Sequence, residues 1–233
     1  MRRSLLGTLI LGLSFFGGAA MAAPTNLISN GDFETGTFAG WTVSTTNPDS
    51  PGCNQGWSVA ASGNATGCLG VENPLGTYAA YQSFDGTGPK TRTLSQSFVV
   101  PTFGSATLTF SDTYEFDVVL YRELARSFNV SVVSASGTQN VFHFQSPTGF
   151  QTGVQPWTQH SVDMTAALTG LAGQQVQLAF FSEIPETFSG PAGFGLDNVS
   201  LQVTPAASKV PEPSSLALIG LAMAGLGLAR RRR

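Results

Sequence analysis

Apolar and polar positions alternate with a period of two along much of the chain. Leu94, Gln96, Phe98 and Val100 share one parity, and Thr93, Ser95, Ser97 and Val99 the other. Leu108, Phe110, Asp112, Tyr114 and Phe116 alternate mostly with threonine and serine. The same rhythm sets Phe128, Val130 and Val132 against Ser127, Asn129 and Ser131, and Val176, Leu178 and Phe180 against Gln175, Gln177 and Ala179. It returns in Val199, Leu201 and Val203 against Asn198, Ser200 and Gln202. This pattern predicts strands with one buried face. Gly137-Thr138 is placed as a hairpin turn before Val141–Phe144. Helical patterning is scarce; Asp163–Leu171 fits one or two turns with Asp163 as the cap. Two long connections, Pro48–Leu75 and Glu183–Phe194, are where a sandwich is expected to carry function. The expected fold is all-β, a jelly-roll β-sandwich of eight to ten strands.

The two ends break this rhythm. Met1-Arg2-Arg3 is basic, Leu5–Phe16 is apolar, and Gly17–Ala23 is small; Ala20-Met21-Ala22 fits the cleavage site of a secretory signal peptide. At the other end, Ser214–Ala229 is sixteen residues without a charge, followed by Arg230–Arg233. As a helix it covers roughly 24 Å, short of the ~30 Å hydrocarbon core, but the arginines fix its direction as a stop-transfer segment with its end inside. The expected organisation is a signal peptide at 1–22, a sandwich at 23–204, a linker at 205–209 and a membrane-directed tail at 210–233.

Charge sharpens the picture once the ends are set aside. Residues 23–209 hold thirteen Asp/Glu and five Lys/Arg, a net charge of −8 that the whole-chain −3 conceals. An acidic body disfavours nucleic acid and anionic membranes as partners, and suits neutral sugar polymers and divalent cations. Cys53 and Cys68, the only cysteines, lie in the exported part and flank a polar loop containing Trp57. Disulfides persist outside the cytosol, and a Cys53–Cys68 bridge would stabilise by ~3 kcal/mol. Neither a zinc site nor a catalytic cysteine finds the histidines it needs.

Val210-Pro211-Glu212-Pro213, the apolar segment and the arginines resemble, in that order, the PEP-CTERM sorting signal of Gram-negative bacteria. The prolines keep Glu212 extended and outside any helix. The resemblance implies secretion, transient insertion of the tail in the inner membrane, and its removal by an exosortase. The body would then sit at the cell surface or outside the cell, among exopolysaccharide. Within the body, Asn26-Leu27-Ile28-Ser29-Asn30-Gly31-Asp32-Phe33-Glu34 with Gly40-Trp41, and Gly195-Leu196-Asp197-Asn198-Val199-Ser200-Leu201, resemble the first and last strands of galactose-binding-like jelly rolls, including carbohydrate-binding modules. That resemblance implies a structural calcium ion held by Glu34, Asp197 and a carbonyl near Gly31. Asp197 shares parity with Val199, so it is expected to point inward, where a carboxylate needs a cation or several donors. The alternative is that Asp197 caps a turn and Glu34 is solvated.

Such modules bind sugar rings on exposed aromatics. Trp57, Tyr121 beside Arg122, and Tyr78 with Tyr81 are the candidates. Asp112, Glu115, Asp117, Glu183 and Glu186 are the acids from which a facing pair for glycoside hydrolysis could be drawn, Asp112 and Glu183 foremost, but no spacing fixes their separation, and His143 and His160 suggest neither a triad nor a metal site. The reading is a non-catalytic structural or adhesive component of the envelope or matrix. The alternatives are a dedicated carbohydrate-binding module and, last, a hydrolase of matrix polysaccharide.

Overall fold

A computed structural model describes residues 23–46, 55–63, 71–84, 89–117, 125–146, 152–184, 192–206 and 215–231. The signal-peptide segment, both cysteines, Tyr121 and Val210–Pro213 lie outside them. Residues Ala23–Ala206 form one compact unit, a β-sandwich of two antiparallel sheets.

The first sheet has the order β3 (Gln55–Ala60), β4 (Ala79–Phe84), β11 (Ala192–Thr204), β6 (Ser105–Asp117), β9 (Thr152–Asp163), with the short β1 (Thr25–Asn26) also on β11. The second has the order β2 (Thr42–Thr45), β5 (Lys90–Val99), β10 (Gln175–Ile184), β7 (Ser127–Ser134), β8 (Gly137–Gln145). Consecutive strands mostly fall in opposite sheets, as a jelly roll requires. The predicted alternation is what packs the two layers: Leu94 and Phe98 of β5, Leu108 and Phe110 of β6, Phe128 and Val130 of β7, Leu178 and Phe180 of β10, and Leu201 of β11 meet in one core. At about 25 cal/mol per Å² of apolar surface buried, these side chains supply the main drive to fold.

The β7–β8 hairpin forms, but its turn is Ala135-Ser136; Gly137 and Thr138, expected as the turn, open β8 and pair with Ser134 and Val133. The stretch after Asp163 makes a single helical turn, α1 (Thr165–Leu168), and Asp163 Oδ1 accepts the Thr165 N–H at 2.9 Å. The two long connections are shorter than expected. Strand β3 interrupts the first, and Glu183 belongs to β10 rather than to the second. In the chain's other unit the described part is α2 (Ser215–Arg230), sixteen residues and apolar all round. Among the described residues no helix is long and apolar enough to cross a membrane.

Candidate functional site

Strand β11 changes partners half-way. Ala192–Leu196 pair with β4, and β1 pairs only at Gln202 and Val203. Between them the chain segment after β1 runs alongside: the Val199 N–H donates to Gly31 O at 2.9 Å and the Leu27 N–H to Leu201 O. A β-bulge sits here, with Asn198 in the left-handed region at φ 53°. One extra residue reverses the side-chain parity of everything beyond it. Ala192, Phe194 and Leu196 face the core before the bulge, and Val199, Leu201 and Val203 after it. Asp197 therefore does not share a face with Val199. It is 1% exposed because it points to the outer side of the first sheet, under the segment that carries Leu75.

Asp197 Oδ1 accepts the Asn198 N–H at 2.7 Å and Oδ2 the Leu75 N–H at 3.3 Å. Burial pushes its carboxyl up to about 6; the two N–H groups oppose this, and the negative charges of Glu34 and Asp32 add to it. Glu34 Oε1 accepts the Thr77 and Tyr78 N–H groups at 2.7 and 3.1 Å, and the N–H donors of Tyr78 and Thr77 hold its carboxyl below the ordinary range. Glu34 is thus tied to the backbone rather than free in solvent. The motif around it is built for that placement. Asn30 Nδ2 donates to Thr37 O and Ala39 O, Trp41 Nε1 donates to Asn30 O, and Phe33 is buried against Phe38 and Trp41. A Cβ on Gly31 would lie 1.9 Å from Val199 O, so only glycine fits there. Gly31, Glu34 and Asp197 come together, with Asp32 beside them. No group of three or more carboxylate, histidine or cysteine side chains converges at metal-binding distance among the described residues.

The outer face of the second sheet is the other concentration of polar chemistry. Register places Thr42, Ser95, Ala179, Ser131 and Asn140 in one row across the strands, and Ser44, Thr93, Phe181, Asn129 and His143 in the next. A third row runs Thr91, Glu183, Ser127, Gln145. Ser95, Ala179 and Ser131 are buried although the register places them on the outward face. Among the described residues Ser131 Oγ has no hydrogen-bond partner. Asn129 links the neighbouring row: its Oδ1 lies 2.5 Å from His143 Nδ1 and accepts from Asn140 Nδ2, and its Nδ2 donates to Ser127 Oγ and Glu183 Oε2. Beside Glu183, Thr91, Ser127 and Thr46 line a cleft of about 470 Å³.

Asp112 faces the inside of the sandwich, as its parity predicts. Its Oδ1 accepts from Gln155 Nε2 at 3.0 Å and lies 2.9 Å from His160 Nε2, whose ring packs between Phe110 and Phe142. Burial raises the Asp112 carboxyl above its ordinary range, and His160 opposes the shift. Asp112 and Glu183 thus occupy the inside of one sheet and the outside of the other, and cannot flank one glycosidic bond. Trp57 is corrected too: it is a core residue of β3, 6% exposed, and offers no platform for a sugar. Tyr81 is fully buried on the outer side of the first sheet, where its hydroxyl donates to Glu72 O. The face around Asn129 and Phe181 was not singled out from the sequence; the one signal was the serine, asparagine and glutamine parity of β7 and β10.

Residues 209–233 match the family model described as the PEP-CTERM protein-sorting motif. The chain ends in a PEP-CTERM sorting motif. The PEP-CTERM motif marks an exported substrate of exosortase-dependent processing. No curated protein matches the chain. Among solved structures, the Stig cyclase Fisc from Fischerella sp. TAU is similar, with 16% identity, 79% of this chain and 100% of that chain covered, and a TM-score of 0.51. TmCBM61, solved with β-1,4-galactotriose, has 17% identity over 76% of this chain and 97% of its own, at a TM-score of 0.47. The family 11 carbohydrate-binding module from Clostridium thermocellum has 11% identity over 79% and 98%, at 0.41. At 16% identity the cyclase is alike in fold alone.

Proposed function

We propose that this PEP-CTERM protein is a non-catalytic surface or matrix component that holds a polysaccharide chain across the outer face of its second sheet. The observation that carries the reading is the sunken row Ser95–Ala179–Ser131 beside Thr93, Phe181, Asn129 and His143. Five strands at about 4.8 Å spacing give the row roughly 20 Å of length, enough for several sugar rings. Phe181 offers an aromatic surface to the apolar side of a ring. Asn140 and His143, exposed at the ends of these rows, suit a ligand rich in hydroxyls, which donate and accept alike.

Glycan binding by the full-length chain tests this. Millimolar-or-better binding of a linear polysaccharide is expected, weakened about fivefold to tenfold in Phe181→Ala, in keeping with the worth of one ring contact. No binding to any linear glycan, or full affinity in a folded Phe181→Ala protein, would remove the reading.

Part of the same proposal is a structural calcium ion at Glu34 and Asp197, with main-chain oxygens near Gly31 and water completing the six to eight ligands calcium takes. What favours it is a buried carboxylate pushed upward in pKa, beside two further negative charges. Calcium would neutralise that repulsion and pin the segment 27–34 to β11; it has no part in sugar chemistry here.

A further inference from the structure

Among the described exposed acids, Glu183 is held by side chains of a neighbouring strand, where Glu34 is held by backbone N–H groups. Its Oε2 accepts from Ser127 Oγ at 3.0 Å and from Asn129 Nδ2 at 3.2 Å. Both donors stand on β7, and Ser127 is the residue directly opposite Glu183 in the β10–β7 ladder. Asn129 is in turn buried and fixed by His143 and Asn140. One carboxylate oxygen is therefore locked in place while the group stays exposed at the edge of the 470 Å³ cleft. A charge fixed in this way loses little freedom when a ligand meets it.

The basic residues add the second observation. Of the five Lys/Arg in residues 23–209, three are described: Lys90, Arg92 and Arg126. All three are at most 2% exposed. Lys90 borders the cleft, but it shares the inward parity of Arg92 and Leu94 and already has a partner. Among the described residues the sandwich exposes Asp32, Glu34, Glu72, Asp163 and Glu183, and no lysine or arginine. A surface of one sign attracts polymers of the other and repels its own.

We infer that the polysaccharide on this face is cationic: a polymer of amino sugars with free ammonium groups, one of which sits on Glu183. The inference rests on the reading of the second sheet as a sugar site. An ammonium offers three donors and a full positive charge to the carboxylate, and charge-assisted bonds are about twice as strong as neutral ones. N-acetylation removes the charge and two of the donors, so the acetylated polymer loses this contact. A uronic acid polymer meets only repulsion.

Calorimetric titration of the full chain with four probes tests it: a β-1,4-glucosamine hexamer, its fully N-acetylated counterpart, a neutral β-1,4-glucan and a polyuronate. The glucosamine hexamer is expected to bind at least about tenfold tighter than the acetylated one, the equivalent of one charged hydrogen bond. The preference should shrink in about 0.3 M salt. Glu183→Gln, at an exposed position, should abolish the preference for the glucosamine hexamer over the acetylated one, and Glu183→Asp should keep part of it. Equal binding of the two hexamers, or a preference that survives Glu183→Gln, overturns the ammonium contact and leaves the face a sugar site. Failure of all four probes to bind overturns both readings.

Discussion

Asp197 is buried next to the charges of Glu34 and Asp32, and among the described residues two backbone N–H groups hold it. Its carboxyl is pushed up to about 6, against an unfolded value near 4. The folded state therefore binds a proton more tightly than the unfolded chain, and without a cation its stability falls as pH rises from about 4 through 6. Asp197→Asn should flatten that slope in chelator, as read by thermal melts across pH. Millimolar calcium should reverse it in the native chain, giving a higher Tm above pH 6. A Tm indifferent to calcium at every pH would sink the metal assignment. That Asp197 matters was legible from the sequence, since an acid among alternating apolar residues invites a question. The direction it points was not, because parity is only as good as the register beneath it, and the register shifts at Asn198.

At the scale of elements, the strands could be read because a half-buried strand must alternate, whatever its neighbours. Two kinds of feature escaped. Strand β3, GlnGlyTrpSerValAla in sequence, is short and set among glycine and serine, so its tryptophan looked like a loop residue; pairing with β4 turns it into core. The polar row Ser95–Ala179–Ser131 draws on three strands distant in sequence. Its members read singly as ordinary solvent-facing serines and an alanine, and only the register assembles them. The joint between the entry segment and β11 is the element most sensitive to change. Gly31→Ala drives a methyl into Val199 O and should cost about 1–3 kcal/mol. Urea unfolding gives the answer; an unshifted midpoint would mean that the close approach of the two segments is not maintained in solution.

For the whole molecule, the sorting motif addresses the chain to exosortase-dependent processing, and under the proposed reading the sandwich is the body that remains. The protein recovered outside the cells is expected to be lighter than the 24.3 kDa chain, lacking the residues before about Pro24 and those beyond the Pro211-Glu212-Pro213 region. Its intact mass should rise by two hydrogens on reduction if Cys53 and Cys68 are bridged. Recovery of the full-length mass would contradict processing at both ends. The inward turning of Lys90, Arg92 and Arg126 has an effect beyond charge. Trypsin-like proteases cut after lysine and arginine, and the described part of the sandwich shows them neither at its surface. Outside the cell, where such enzymes are a common hazard, Lys90, Arg92 and Arg126 give them no exposed point of attack.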